Sequence, residues 1–229
     1  MEDKLQTMYN ARFSGEEVHR KRNKIWEALC ANYFQNWIPP SIFEEGNSKT
    51  TIVDVAAGFC EFINNIKAGN KIAIDLIPDT TKYASGDVTV IIESAFNLVE
   101  CLGTEAADVV FISNFLEHLD TKEQVSDIFA QAKLVLRTGG RLLILQPNIK
   151  YTGGKYWDFF DHKLPLTEDS IIECAGLHGY KTVKCVKRFL PYTTKSRFPQ
   201  AKWIVALYCK MMPLSGCFFG EQSFIVFEK

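Results

Sequence analysis

Between residues 15 and 38, apolar side chains fall at Val18, Ile25, Trp26, Leu29, Cys30, Tyr33, Phe34 and Trp37. Separations of three, four and seven predict one amphipathic helix, ended by Pro39-Pro40. Its other face carries His19, Arg20, Lys21, Arg22 and Lys24, a charge run that reads either as a solvated face or as a lid over an anionic ligand. From Thr50 the pattern changes to short β-branched runs alternating with helical stretches, which predicts βαβ units and a parallel sheet. Strands are expected at Thr51–Val55, Lys71–Leu76, Val88–Ile92, Asp108–Ser113 and Arg141–Gln146. Before the fifth, Val125, Ile128, Phe129, Ala132, Val135 and Leu136 form a helical stripe facing a core, with Gly139-Gly140 as its stop.

A further helix is predicted from Thr167 to Leu177, because Thr167 and Ser170 offer capping chemistry and Gly179 follows. Strands at Tyr180–Val186 and Ser223–Glu228 bring the set to seven. Residues 190–222 carry Pro191, Pro199, Pro213 and a short apolar helix near Lys202–Met211, too long a connection for a hairpin, and read as a functional insertion. No internal repeat or low-complexity tract is present. The 229 residues, 47% hydrophobic and 23% charged, suit a folded chain with one core. The expected organisation is a single domain over 1–229: a helical cap over 1–48, a cofactor-binding core over 50–150, and substrate-side segments with the last two strands over 151–229.

A net charge of -1 supplies no global field for a nucleic-acid backbone, so no nucleic-acid partner is expected. Seven scattered cysteines without a C-x-x-C pair suit reduced thiols, hence a cytoplasmic setting. The start, MEDKLQTMYNARF, lacks the order of a signal peptide, and the run Trp203–Cys209 is too short for a membrane span. A soluble monomer or homodimer is the expectation.

Ligands of open α/β sheets bind outside the carboxyl ends of the strands. After the first strand comes VDVAAGFCEF, with Asp54, Ala56, Gly58 and Cys60 in alternate places ahead of a helix expected near Phe59. A G-x-G-x-x-G fingerprint would need glycine at Ala56, Gly58 and Glu61; one of the three complies, which disfavours a nicotinamide dinucleotide. The small pattern after an acid instead resembles motif I of class I S-adenosylmethionine-dependent methyltransferases, with Ala56 and Cys60 replacing the outer glycines. Asp75, 21 residues beyond Asp54 in KIAIDL, stands where that family binds the ribose hydroxyls; it could otherwise cap the turn before Pro78. Ser94 and Ala95 in VIIESAFNL match the place beside the adenine, with Glu93 next to them. In DVVFISNFLEHLD, Asn114, Phe115 and His118 match the segment beside the methionine part, and LRTGGRLLILQPN is similar to the family's helix, turn and fifth strand.

The resemblance spans about residues 50–150 and implies an α/β fold: a seven-stranded Rossmann-like sheet with helices on both faces and the last strand antiparallel. It implies S-adenosyl-L-methionine as cofactor, S-adenosyl-L-homocysteine as product, and Asp54, Ala56, Gly58, Phe59, Cys60, Asp75, Leu76, Ser94, Ala95, Asn114 and Phe115 as its binding residues. An oxygen or protonated nitrogen acceptor also needs a base. The candidates are His118 and His162, the latter in KYWDFFDHKLPL beside Asp158 and Asp161. Tyr156 and Trp157 there are either core or a substrate wall. The segment RFLPYTTKSRFPQAK contains Arg188, Lys195, Arg197 and Lys202 and no acid. With Tyr192, Lys195 and Arg197 it could grip an anionic acceptor such as a sugar phosphate or nucleotide sugar. The chain also looks like methyltransferases of sugar and polysaccharide tailoring. It has neither N-P-P-Y nor a Pro-Cys pair after the fourth strand, and Asp120 alone does not make a catechol-type metal site, so no metal is expected. The competing reading is a non-catalytic module that binds the adenosyl cofactor or a partner.

Overall fold

The computed structural model describes residues 16–39, 50–192 and 201–229. The chain runs α1 (Glu16–Asn32), a 3-10 turn (Phe34–Trp37), β1 (Thr51–Val55), α2 (Glu61–Asn65), β2 (Asn70–Asp75), α3 (Thr80–Tyr83), β3 (Val88–Ile92), α4 (Leu98–Leu102) and β4 (Ala107–Ser113). It continues through α5 (Lys122–Val135), β5 (Leu136–Pro147), α6 (Ile149–Thr152), α7 (Glu168–Leu177), β6 (Lys181–Val186), α8 (Lys202–Lys210), α9 (Leu214–Phe219) and β7 (Gln222–Glu228). Seven strands form one sheet in the order β3-β2-β1-β4-β5-β7-β6. β7 is antiparallel to both β5 and β6, and the β1–β5 pairings are parallel.

Alternation along the central strands divides the core between two faces. Val53, Val110, Ile112, Leu142, Ile144 and Phe227 meet α5 and α7 on one side. Ile52, Val109, Phe111, Leu143, Phe224 and Val226 meet α1, α2 and the insertion on the other. α5 buries Val125, Ile128, Phe129, Ala132 and Val135, each large side chain contributing about 1.5–3 kcal/mol by leaving water. α7 begins with the expected cap: Thr167 accepts from the Ser170 N–H, and Ser170 returns a bond to the Thr167 N–H.

The structure departs from the sequence expectations at five places. α1 stops at Asn32, because Tyr33 (φ −136°) turns so that it and Phe34 both enter the aromatic cluster on the sheet, with Tyr33 4.5 Å from Phe189. The second strand ends at Asp75, leaving Leu76 outside it and 56% exposed. The helix expected near Phe59 begins at Glu61. Residues 190–222 contain a second helix, α9, hidden from periodicity by its six-residue length. Gly139-Gly140 is not the stop of α5, which already ends at Val135 where Leu136 becomes extended.

The glycine pair instead shapes the irregular start of β5, where the register with β4 jumps from Ala107–Leu136 to Val109–Arg141. Buried Asp108 organises this end: its Oδ2 accepts from the Thr51 N–H at 2.7 Å and from Arg137 at 2.8 Å. Gly139 has φ +76°, and a Cβ on Gly140 would stand 2.8 Å from the Arg137 carbonyl oxygen. Gly140→Ala is therefore expected to lower stability by about 1–3 kcal/mol, read from the midpoint of urea unfolding; an unchanged midpoint would show that this turn yields without cost.

Candidate active site

The loop after β1 adopts a left-handed conformation at alternate residues: Ala56 (φ +56°), Gly58 (φ +52°) and Cys60 (φ +56°). These are the three small positions of the sequence pattern, and two of them carry a Cβ in a region that favours glycine. Asp75 fixes the loop, its Oδ2 accepting from the Gly58 N–H at 2.7 Å and its Oδ1 from the Ile77 N–H at 2.8 Å. These bonds realise the turn-capping alternative, and each carboxylate oxygen retains a further lone pair. Burial raises the Asp75 carboxyl against the lowering effect of these two N–H groups. Asp54, fully enclosed beneath the loop, is raised well above the carboxylate range by burial and then by Asp75. The Cys60 thiol, donating to the Thr80 carbonyl at 3.7 Å, is pushed up to about 12 by burial.

A cavity of about 740 Å³ opens from this loop, bounded by Asp54, Ala56, Gly58, Phe59 and Asn114. α1 closes one side with Lys21, Arg22 and Trp26, so the charge run does not simply face solvent. Arg22 pairs with Glu61 at 2.7 Å, and its guanidinium lies 5.5 Å from the Phe59 ring centre. His19 packs 4.5 Å from the same ring, and burial lowers its pKa. Asn114 has φ +48°, a conformation asparagine tolerates, and its N–H donates to the Leu145 carbonyl. The far wall is apolar, with Leu190, Ile204, Val205, Leu207 and Phe218 among its members.

Glu117, His118 and His162 reach the cavity together, His118 and His162 with ring centres 5.0 Å apart. His118 Nδ1 lies 3.0 Å from the Asp161 carbonyl oxygen and 3.4 Å from its carboxylate. His162 Nδ1 lies 3.2 Å from the Tyr192 hydroxyl, and its ring stacks on Phe159. Asp161 thus meets the other histidine, not only its sequence neighbour. Burial raises the Glu117 carboxyl, opposed by His118.

Several expected residues lie elsewhere. Tyr156 does not line the cavity: it is fully buried behind His162, and its hydroxyl donates to the Leu164 carbonyl at 2.6 Å. Trp157, 55% exposed, packs edge-on against Tyr156 and also stays out of the cavity. Phe115 turns away to the core on the opposite face. Leu76, Ser94 and Ala95 lie at the ends of β2 and β3 rather than in the cavity wall, with Ser94 capping the next turn through a bond from the Phe96 N–H. That end still meets Asp75, whose carbonyl accepts from the Glu93 N–H at 3.1 Å. Tyr192 lines the cavity as expected, whereas Lys195 and Arg197 lie outside the described residues. Sequence reasoning did not single out Trp26 or Glu117; Glu117 was legible only as the neighbour of His118.

Residues 53–144 match the family described as "Methyltransferase domain". No curated protein matches the sequence. Among solved structures, an S-adenosylmethionine-dependent methyltransferase from Archaeoglobus fulgidus is similar over 98% of this chain and 99% of its own, at 17% identity and TM-score 0.66. One from Thermotoga maritima, described as a possible histamine N-methyltransferase, matches over 97% and 98% at 15% identity and TM-score 0.64. One from Mesorhizobium loti matches over 82% and 94% at 12% identity and TM-score 0.56. With the domain match over residues 53–144, the strand order and the likeness along the whole length, the chain has the class I, Rossmann-like methyltransferase fold.

The left-handed Ala56 yields a stability prediction. Relief of about 1–2 kcal/mol of Cβ strain outweighs the roughly 0.4–1 kcal/mol that glycine adds to unfolded-chain entropy. Ala56→Gly should therefore raise stability by about 0.5–1 kcal/mol, measured as an upward shift in the thermal midpoint. A downward shift would mean that the loop derives support from the alanine methyl greater than this strain.

Proposed function

We propose that the chain transfers a methyl group to an oxygen or nitrogen of a small acceptor with an apolar or aromatic body, held in the cavity between the β1 loop and the insertion. The observation that carries this reading is the cavity itself, which runs from left-handed Ala56, Gly58 and Asn114 to His118 and His162 under an apolar wall. S-adenosylmethionine, when bound, supplies an electrophilic methyl on a sulfonium. The donor set suits it: Asp75 offers carboxylate lone pairs for ribose hydroxyls, the β1 loop offers close backbone approach, and Ser94 with Ala95, after β3, would take the adenine side. Arg22 and Lys21 border the cavity as members of ion pairs with Glu61 and Glu17.

The residues of the chain then act by position. α1, α8 and α9 exclude water, and the apolar wall orients the acceptor so that its nucleophile faces the methyl in line. His162, oriented by Tyr192 and Phe159, or His118, oriented by Asp161, takes the acceptor proton. An anionic sugar draws little support from the described basic residues. Arg188 donates to the Gly220 carbonyl at 2.8 Å and lies over Tyr151, and Lys202 pairs with Glu27. Among the described residues no helix is long and apolar enough to cross a membrane.

Calorimetric titration should show micromolar binding of S-adenosylmethionine and S-adenosylhomocysteine and none of a nicotinamide dinucleotide. Asp75→Ala should weaken that binding more than about tenfold; unchanged affinity removes the ribose assignment. In an acceptor screen of phenolic, amine and sugar compounds, His162→Ala should lower turnover while sparing cofactor affinity. Cofactor binding with no transfer to any acceptor would favour a non-catalytic module, and sugar phosphates as best acceptors would overturn the apolar body.

A further inference from the structure

Glu117, His118 and His162 each present one ligand-type atom, and those atoms all lie within 4.8 Å of one another. Two come from the turn after β4 and one from the segment after β5, so the sheet, not sequence proximity, brings them together. Glu117 is 2% exposed, and its Oε2 has no hydrogen-bond partner among the described residues. An enclosed carboxylate oxygen without a donor is costly, and a cation is one of the few groups that relieve it. Its backbone is already committed, with the Glu117 carbonyl accepting from the N–H groups of Lys163 and Leu164 at 2.9 and 3.1 Å. This pair of bonds fixes the approach of the His162 segment to Glu117.

The surroundings of the two imidazoles add an independent sign. A histidine that binds a metal usually holds its other ring nitrogen on a carbonyl, carboxylate or hydroxyl, which sets tautomer and orientation. His118 Nδ1 faces both the carbonyl and the carboxylate of Asp161, and His162 Nδ1 faces the Tyr192 hydroxyl. Both rings therefore have the outer partners that such a site needs. All three ligands border the cavity, so a bound ion would keep an open side toward the acceptor.

We infer that Glu117, His118 and His162 bind a divalent cation of the zinc class, a site the sequence reading did not foresee. Two imidazoles and one carboxylate select first-row ions over magnesium or calcium, which prefer all-oxygen sites. Ligand atoms on a tetrahedral zinc lie about 3.3 Å apart, so small side-chain rotations close the observed spread. The role of the ion rests on the methyl-transfer reading; its binding does not. With the ion bound, His118 and His162 serve as its ligands in place of the base role; an acceptor hydroxyl on the open position gives its proton to a water on the open side of the cavity, and its oxygen forms the new bond to the methyl carbon. The carbon–sulfur bond breaks with its electron pair passing to sulfur.

The test uses the full chain, stripped with a chelator and titrated with cobalt(II) and zinc(II). Cobalt should give visible d–d absorption of a low-coordinate site, saturating at about one ion per chain and abolished by zinc. Glu117→Gln and His162→Ala should each weaken binding at least about tenfold, while His178→Ala, remote from the cavity, should leave it unchanged. Circular dichroism and the thermal midpoint report whether each variant folds, and His118→Ala provides a third ligand substitution. Absence of a saturable cobalt spectrum, or affinity unaffected in folded ligand variants, would overturn the site. Titration of the same stripped protein with S-adenosylhomocysteine separates the two readings: nucleoside binding without metal binding defeats the ion alone, and metal binding without nucleoside binding defeats the cofactor reading alone.

Discussion

The bond from the Gly58 N–H to the Asp75 carboxylate is the constraint on which the site depends. It joins the carboxyl ends of β1 and β2 and holds a loop whose alternate residues sit in the left-handed region. A right-handed path would carry the chain directly into a helix. The left-handed one delays α2 until Glu61 and leaves a backbone edge facing the cavity. Alanine and cysteine at two of these positions retain a strained geometry that the surrounding sheet overdetermines: Cys60 is buried and bonded to Thr80, and Asp54 lies enclosed below. Local strain is thus held in place by the parallel pairing of β1 with both β2 and β4.

Around this fixed floor, the rest of the cavity is assembled from segments distant in the chain. α1 is tied to the floor by Arg22–Glu61 and by His19 packing on Phe59, and to the insertion by Lys202–Glu27. The insertion is in turn pinned to the end of β6: a Cβ on Gly216 would lie 1.9 Å from the Arg188 carbonyl oxygen, so only glycine permits this approach of α9. Roof and floor therefore meet through ion pairs, aromatic contacts of α1 and the close packing of Gly216 on Arg188. The two histidines are set differently, by hydrogen bonds within the cavity wall.

Amphipathic and β-branched patterning made much of the fold legible. The strands at Thr51–Val55 and Val88–Ile92, the stripe from Val125 to Val135 and the Thr167 cap are local in cause, since each depends on side-chain period or on capping within one turn. The glycine pair at Gly139-Gly140 was misread because a turn-forming residue does not say which element it ends; the pairing of Asp108 with Arg137 decides that here. α9 escaped notice because six residues cannot establish a period.

By itself, the sequence determined the α/β class, the seven strands and the run from Asp54 to Cys60 as a loop of small residues at the carboxyl end of the first strand, since these follow from periodicity and from small residues after an acid. Tertiary structure decided which polar residues face one another. Tyr156 went to the core because its hydroxyl found the Leu164 carbonyl, Asp161 met His118 across 43 positions, and Glu117 came to lie buried beside two histidines. Such contacts join residues after different strands, and their distances are set by sheet order and twist, which no local pattern of side chains encodes.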